Sequence, residues 1–156
     1  MPESDPTRVV ADADVLAADL LVGGDAREAL DHVRRHSWMS LVASDYLLDD
    51  AQAVIERLAD ASLAADWRDK VETERVAASH PDGDHPALAS AYHGGAAHLL
   101  TYDDGLRSAK AGAVLQPHMA VSVRSPAAFA ELFDAASLYE AVESGPYPGP
   151  DRDPRA

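Results

Sequence analysis

Two carboxylates one residue apart, Asp12 and Asp14, stand in the stretch VVADADVL, where an apolar run gives way to a helical pattern. Three further aspartates occupy comparable places: Asp50 in SDYLLDD, Asp84 in DHPALASA and Asp103 in LLTYDD. Carboxylate oxygens are hard ligands, of the kind that Mg2+ and Mn2+ take while keeping waters and open positions for a phosphate oxygen. Aspartates packed together repel and raise one another's pKa, so a dication makes such a cluster tolerable in its ionised form. With one or two ions bound, a water becomes a better nucleophile and a phosphodiester is clamped for displacement. Each aspartate taken singly also has a plainer reading. Asp12 and Asp84 cap helices, Asp50 is a solvated helix residue beside Asp49, and Asp103 belongs to a turn. What separates the two readings is whether the chain brings these residues to one place.

The elements expected to position them alternate short apolar runs with amphipathic segments, the pattern of a parallel sheet flanked by helices. RVVAD forms the first strand, VLAADLL a helix, and AREALDHVRRH a second helix with Asp25 as its cap. SLVAS, Ser40 to Ser44, is the second strand. The helix after it carries Leu47, Ala51, Val54, Ile55 and Leu58 at helical spacing, with Ser44 as N-cap. A helix from about Leu63 to Ala77 follows, then the loop SHPDGDHP and the helix ALASAYHGGA. HLLTY and AVSVRS are the third and fourth clear strands, and SPAAFAELF is a helix with proline in its first turn. The fold class expected is α/β in three layers, a mostly parallel sheet of four to five strands with helices on its faces. One domain spans residues 8–143. Residues 1–7 and the proline-rich 144–156 are expected to be disordered.

In such a sheet Asp12 and Asp103 close two strands, and open α/β sheets bind ligands outside the carboxyl ends of their strands. Asp50 lies three residues after Leu47 and four before Val54, at the edge of its helix's apolar stripe. Asp84 opens a helix one turn before Leu88. The two therefore have a route to the same crevice.

The order of these pieces resembles that of the PIN-domain nucleases. A strand ends in Asp12 with a second polar residue, Asp14, two positions on. Ser44 is followed by an acid, Asp50, on the next helix. Asp84 starts a helix with Ala91 seven residues later, and Thr101 and Asp103 form a Thr-x-Asp after an apolar strand. The resemblance covers residues 8 to about 140. It departs from the family at position 14, commonly asparagine there, and at position 50, where glutamate is more usual. It implies a metal-dependent endoribonuclease in which Asp12, Asp50, Asp84 and Asp103 are the catalytic and metal-binding residues for Mg2+ or Mn2+. Asp14, Ser44, Thr101 and Asp104 then support the site. Arg107 and Lys110, four and seven residues after Asp103, fall on its side of a short helix and are positioned to touch flanking phosphates. RNA is the implied substrate. A homodimer or a partner protein, and a toxin–antitoxin role, are compatible with the same chemistry. The main alternative is a member of the fold that has lost its chemistry and serves as a binding or scaffold subunit. An aspartyl-phosphate phosphatase is a weaker one, because no lysine lies between Lys70 and the TYDD strand.

Composition narrows the setting. The 156 residues are 47% hydrophobic and 26% charged, within the globular range, and there is no cysteine for a disulfide or thiolate site. Neither a signal peptide nor a membrane-length apolar stretch is visible, so a cytoplasmic protein with no membrane partner is expected. The net charge is −14, and of 13 basic residues only Lys70 and Lys110 are lysines. Such a surface resembles those of halophiles, and a halophilic archaeal member is the expectation. At molar salt the Debye length shrinks to about 3 Å and self-repulsion is screened. HPDGDH, His80 to His85, only partly matches the zinc motif of metallo-β-lactamase-like hydrolases, because Asp82 replaces its middle histidine. Trp38, Trp67, Phe129 and Phe133 read as core anchors, and the cluster Arg27, His32, Arg34, Arg35 and His36 as a solvated helix face.

Overall fold

The structure is a computed structural model, and it describes residues 4–83, 85–107 and 121–155. Five strands form one sheet in which every pairing is parallel: β1 (Asp5–Ala11), β2 (Ser40–Ser44), β3 (Val76–Ala78), β4 (Ala96–Leu100) and β5 (Ser122–Arg124), in the spatial order β3-β2-β1-β4-β5. The helices among the described residues are α1 (Ala13–Leu21), α2 (Gly24–Arg34), α3 (Asp45–Leu58), α4 (Ala61–Glu74), α5 (Pro86–Gly94), α6 (Asp104–Arg107), α7 (Pro126–Leu132) and α8 (Ala135–Val142). Val9, Val10 and Ala11 are consecutive and all fully buried, as are Leu99 and Leu100. Successive strand residues point to opposite faces, so both faces of the sheet are covered and the fold has three layers, as expected. None of the described helices is long and apolar enough to cross a membrane.

The secure elements follow from local chemistry. Ser44 caps α3 by accepting from the Leu47 N–H at 3.1 Å. The buried stripe of that helix is Leu47, Leu48, Ala51 and Ile55, and burying each large member contributes about 1.5–3 kcal/mol. Asp60, Ser125 and Asp134 cap α4, α7 and α8 in the same way. Three expectations are corrected. The cap of α2 is Gly23 at φ 83°, and Asp25 sits in the first turn without capping it. The helix expected to reach Ala77 ends at Glu74, and Val76 to Ala78 pair with Val42 to Ser44 as an edge strand. β1 begins at Asp5, because Asp5 pairs with Ala96 across an irregularity ahead of Val9.

The tail also differs from expectation. Residues 145–155 lie against the end of α2: the Tyr147 hydroxyl is 2.6 Å from His36 Nε2, the Asp151 N–H donates to the Arg35 carbonyl at 2.9 Å, and Arg155 donates to both oxygens of Asp31 at 2.8 and 2.7 Å. A proline-rich stretch has no helix or strand ladder to join, but side-chain hydrogen bonds from Tyr, Asp and Arg fix it.

Gly94 sets how closely α5 crosses the sheet. A Cβ there would stand 2.3 Å from Val42 Cγ1 and 3.4 Å from Ala78 Cβ. Alanine gains about 1 kcal/mol of helix propensity over glycine, and overpacking a tight core costs about 1–3 kcal/mol. At 2.3 Å the clash wins, so Gly94→Ala lowers the stability read by denaturant unfolding. Two half-buried imidazoles make stability depend on pH. Burial, with Arg35 adding to it, lowers the His32 pKa below 6.5, and burial with Arg124 does the same to His98. The unfolded chain takes up these protons first. Stability is therefore full above about pH 7 and is lost as pH falls through 6.5 towards the lower folded values. His98→Gln flattens part of that slope in unfolding curves measured from pH 8 to 5.

Candidate active site at the carboxyl edge of the sheet

The strand order reverses direction between β1 and β4: the chain builds outward from β1 through β2 and β3, then crosses to the other side of β1 for β4 and β5. Such a switch point opens a crevice at the carboxyl ends of the two strands. The ladder there runs one residue beyond both strands, since the Asp12 N–H donates to the Leu100 carbonyl at 2.8 Å and the Thr101 N–H to the Arg124 carbonyl at 2.9 Å. Continuing the strand registers, Arg8 opposite Ser40 and Ala11 opposite Leu100, places Asp12 between Ser44 and Thr101. A row of polar residues thus crosses the edge of an otherwise apolar sheet.

Thr101 ties two acids together. Its side chain is fully buried; the hydroxyl donates to Asp12 Oδ2 at 2.9 Å and accepts from the Asp103 N–H at 3.0 Å. Asp12 Oδ1 accepts from the Ala13 N–H at 2.8 Å, so the residue caps α1 while its other oxygen is held by Thr101. Asp103 Oδ1 accepts from the Gly105 N–H at 2.7 Å and folds the turn into α6, where Asp104 is the first residue. The plain readings of Asp12 and Asp103 hold: Asp12 caps α1 and Asp103 folds the turn after β4, both beyond the carboxyl ends of adjacent strands.

The other expected residues stand differently. Asp50 is exposed on α3, which packs on α1, and no hydrogen bond or ion pair among the described residues joins it to Asp12 or Asp103. Its neighbours are committed elsewhere: Arg68 binds Asp49 at 2.6 Å and Arg75 binds Asp45 at 2.6 Å. Asp14 is exposed in the first turn of α1. Asp84 and Lys110 lie outside the described residues, and Arg107 ends α6. Among the described residues no three His, Asp or Glu side chains are grouped closely enough to hold an ion. Asp12 and Asp103, joined through Thr101 by the carboxylate of one and the backbone N–H of the other, carry the hard oxygen donors that Mg2+ or Mn2+ takes, and in this respect they fit.

Sequence reasoning weighed His80 only within a partial zinc motif and not as a partner of Ser44. It follows β3, and its Nε2 is 2.8 Å from Ser44 Oγ while Nδ1 is 3.0 Å from the Pro81 carbonyl. A carbonyl only accepts, so Nδ1 carries the proton and Nε2 accepts from the Ser44 hydroxyl. Ser90 Oγ accepts from the Ser44 N–H at 3.1 Å. Ser44 is 1% exposed, and its hydroxyl and backbone N–H tie β2 to the loop after β3 and to α5. The signal was the strand itself: three residues are too short for alternation to show.

With the geometry in place, comparison with known proteins adds one assignment. A family model matches residues 3–155, from ahead of β1 through the tail. The chain belongs to the family of unknown function DUF7384. No curated protein and no solved structure matches it. The family's span includes Asp12, Thr101 and Asp103 and also the strap of residues against α2.

Thr101→Val tests the tie. It keeps the shape but leaves the Asp103 N–H and Asp12 Oδ2 without their partner, a loss of about 1–3 kcal/mol in unfolding free energy. A loss below about 0.5 kcal/mol would mean that water replaces the hydroxyl.

Proposed function

We propose that the protein is a metal-dependent nuclease that hydrolyses phosphodiester bonds in RNA at the crevice between β1 and β4. The observation that carries this reading is the Thr101 hydroxyl, which holds the Asp12 carboxylate beside the Asp103 turn at the sheet's switch point. The order of motifs, which resembles that of the PIN-domain nucleases, supports it independently of the geometry. Asp12 and Asp103 would hold Mg2+ or Mn2+, and the resemblance to the PIN-domain nucleases would add Asp50, on α3, and Asp84 as further carboxylates. The bound ion would supply Lewis-acid activation of a water and of a phosphate oxygen.

The chain's own residues account for the rest. Thr101 and the backbone N–H groups of Ala13 and Gly105 fix the rotamers of Asp12 and Asp103, so the carboxylates need no reorganisation when substrate arrives. Ser44 and His80 hold β2 and β3 in register beside them. Asp104 stands next to the site, and Arg107 and Lys110 are assigned to phosphates flanking the scissile one. With a net charge of −14, counterion release adds little affinity at molar salt, so ion–phosphate contact and shape must choose the substrate. A cytoplasmic, salt-adapted setting accords with the acidic, cysteine-free composition.

The test is RNA cleavage by the purified chain with Mn2+ in molar KCl. Asp12→Asn and Asp103→Asn each lower the rate by at least a hundredfold while leaving the folded state as stable as the parent in metal-free buffer, because they relieve repulsion between neighbouring carboxylates. Cleavage by Asp12→Asn at the parental rate would remove Asp12 from the chemistry. RNA bound but left intact by the parent would favour a binding or scaffold subunit of the same fold.

A further inference from the structure

A second site lies at the opposite end of the sheet. Leu16 and Leu20 of α1, Leu30 and Val33 of α2, Leu41 near the start of β2 and Trp67 of α4 wall a cavity of about 330 Å³. Protein interiors are close-packed, and voids of this size are kept mainly where something binds. The acid row stands beyond the last residues of β1, β2 and β4, so the cavity shares no residue with it.

Its charge runs against that of the whole chain. The protein carries 27 acidic residues against 13 basic ones, yet Arg27, Arg34, Lys70, Arg152 and Arg155 line the cavity and only Asp19 and Glu74 oppose them there. Arg34 is committed to Asp19 and Asp31, and Arg155 to Asp31. Arg27 is turned to the carbonyls of Asp19 and Leu20. Lys70 and Arg152 remain for a ligand's charge: both are exposed, and among the described residues neither enters an ion pair, the Arg152 guanidinium making only one long bond, at 3.4 Å, to the Ser37 carbonyl. They stand at the mouth together with Glu74 and Asp153.

The tail builds this mouth. Asp151 accepts from the Ser37 N–H at 2.7 Å and from the Ser37 hydroxyl, and Arg155 grips Asp31. Between those two anchors Arg152 and Pro154 are set on the rim. The family match runs on to residue 155, so this strap belongs to the sequence that the family model describes. Two features that the catalytic reading leaves unused, the arginine cluster on α2 and the charged end of the tail, meet at one cavity.

We propose that the cavity binds a small organic anion with an apolar body, its anionic group held at the mouth by Lys70 and Arg152. The leucine and tryptophan walls take the apolar body out of water, and two cations at the mouth give charge-assisted bonds to the anion. The site is independent of the nuclease reading and stands whether or not RNA is cleaved.

The test uses two fluorescent probes with one ring system: anilinonaphthalene sulfonate, a monoanion, and its uncharged counterpart phenylnaphthylamine. Each is titrated into the full chain at the lowest KCl at which circular dichroism shows it folded. The sulfonate binds one equivalent at least tenfold more tightly than the neutral probe. Lys70→Ala combined with Arg152→Ala erases that preference and leaves the neutral probe's affinity unchanged, and Leu20→Trp, which fills the cavity, removes both. Should Leu20→Trp fail to fold, the double variant, at two exposed positions, still decides. Equal affinity for the two probes, no binding to the folded chain, or an unaltered preference in the double variant would overturn the proposal.

Discussion

The arrangement at the carboxyl edge depends on one buried hydroxyl. Thr101 has no exposed surface, and its oxygen is donor to Asp12 and acceptor from Asp103 at once. A buried polar group must be paired, and here pairing requires the end of β1 and the turn after β4 to stay together. The parallel ladder between β1 and β4 brings the two strand ends within reach. Thr101 converts that proximity into a fixed relation between the Asp12 carboxylate and the Asp103 backbone.

The acids of the chain divide by what holds them. Asp45 and Asp49 on α3 are neutralised by Arg75 and Arg68, which fasten α4 and β3 to the helix, and Asp19 and Asp31 are neutralised by Arg34 and Arg155. At Asp31, burial pushes the carboxyl's pKa up, but hydrogen bonds from Arg155 and Arg34 outweigh it and hold the group below its usual value. Asp12 and Asp103 are held instead by hydroxyl and backbone N–H donors. Donors of that kind orient a carboxylate without cancelling its charge, which is what an ion-binding site requires.

Much of this was legible in residue order, and the exceptions have physical causes. Ser44 as a cap, the strand SLVAS and the placement of Asp12 and Asp103 at strand ends followed from apolar periodicity and cap chemistry. β3 was missed because three residues on a sheet edge carry too little pattern, and with it the bond of His80 to Ser44, a tertiary contact that a local motif does not contain. The tail was misread because proline content argues against helix and strand but says nothing of single side chains such as Asp151 and Arg155 that anchor a strap. Asp50 shows the converse: periodicity located its face of α3, but its distance from the other acids is a tertiary quantity that helical spacing does not contain.

The central claim is that Asp12 and Asp103 form one divalent-ion site. Isothermal titration of Mn2+ into the parent and into Asp12→Asn combined with Asp103→Asn, both in molar KCl to screen diffuse binding by the acidic surface, tests it most directly. The account requires saturable binding by the parent that is absent from the double variant. Equal binding by both proteins would contradict it.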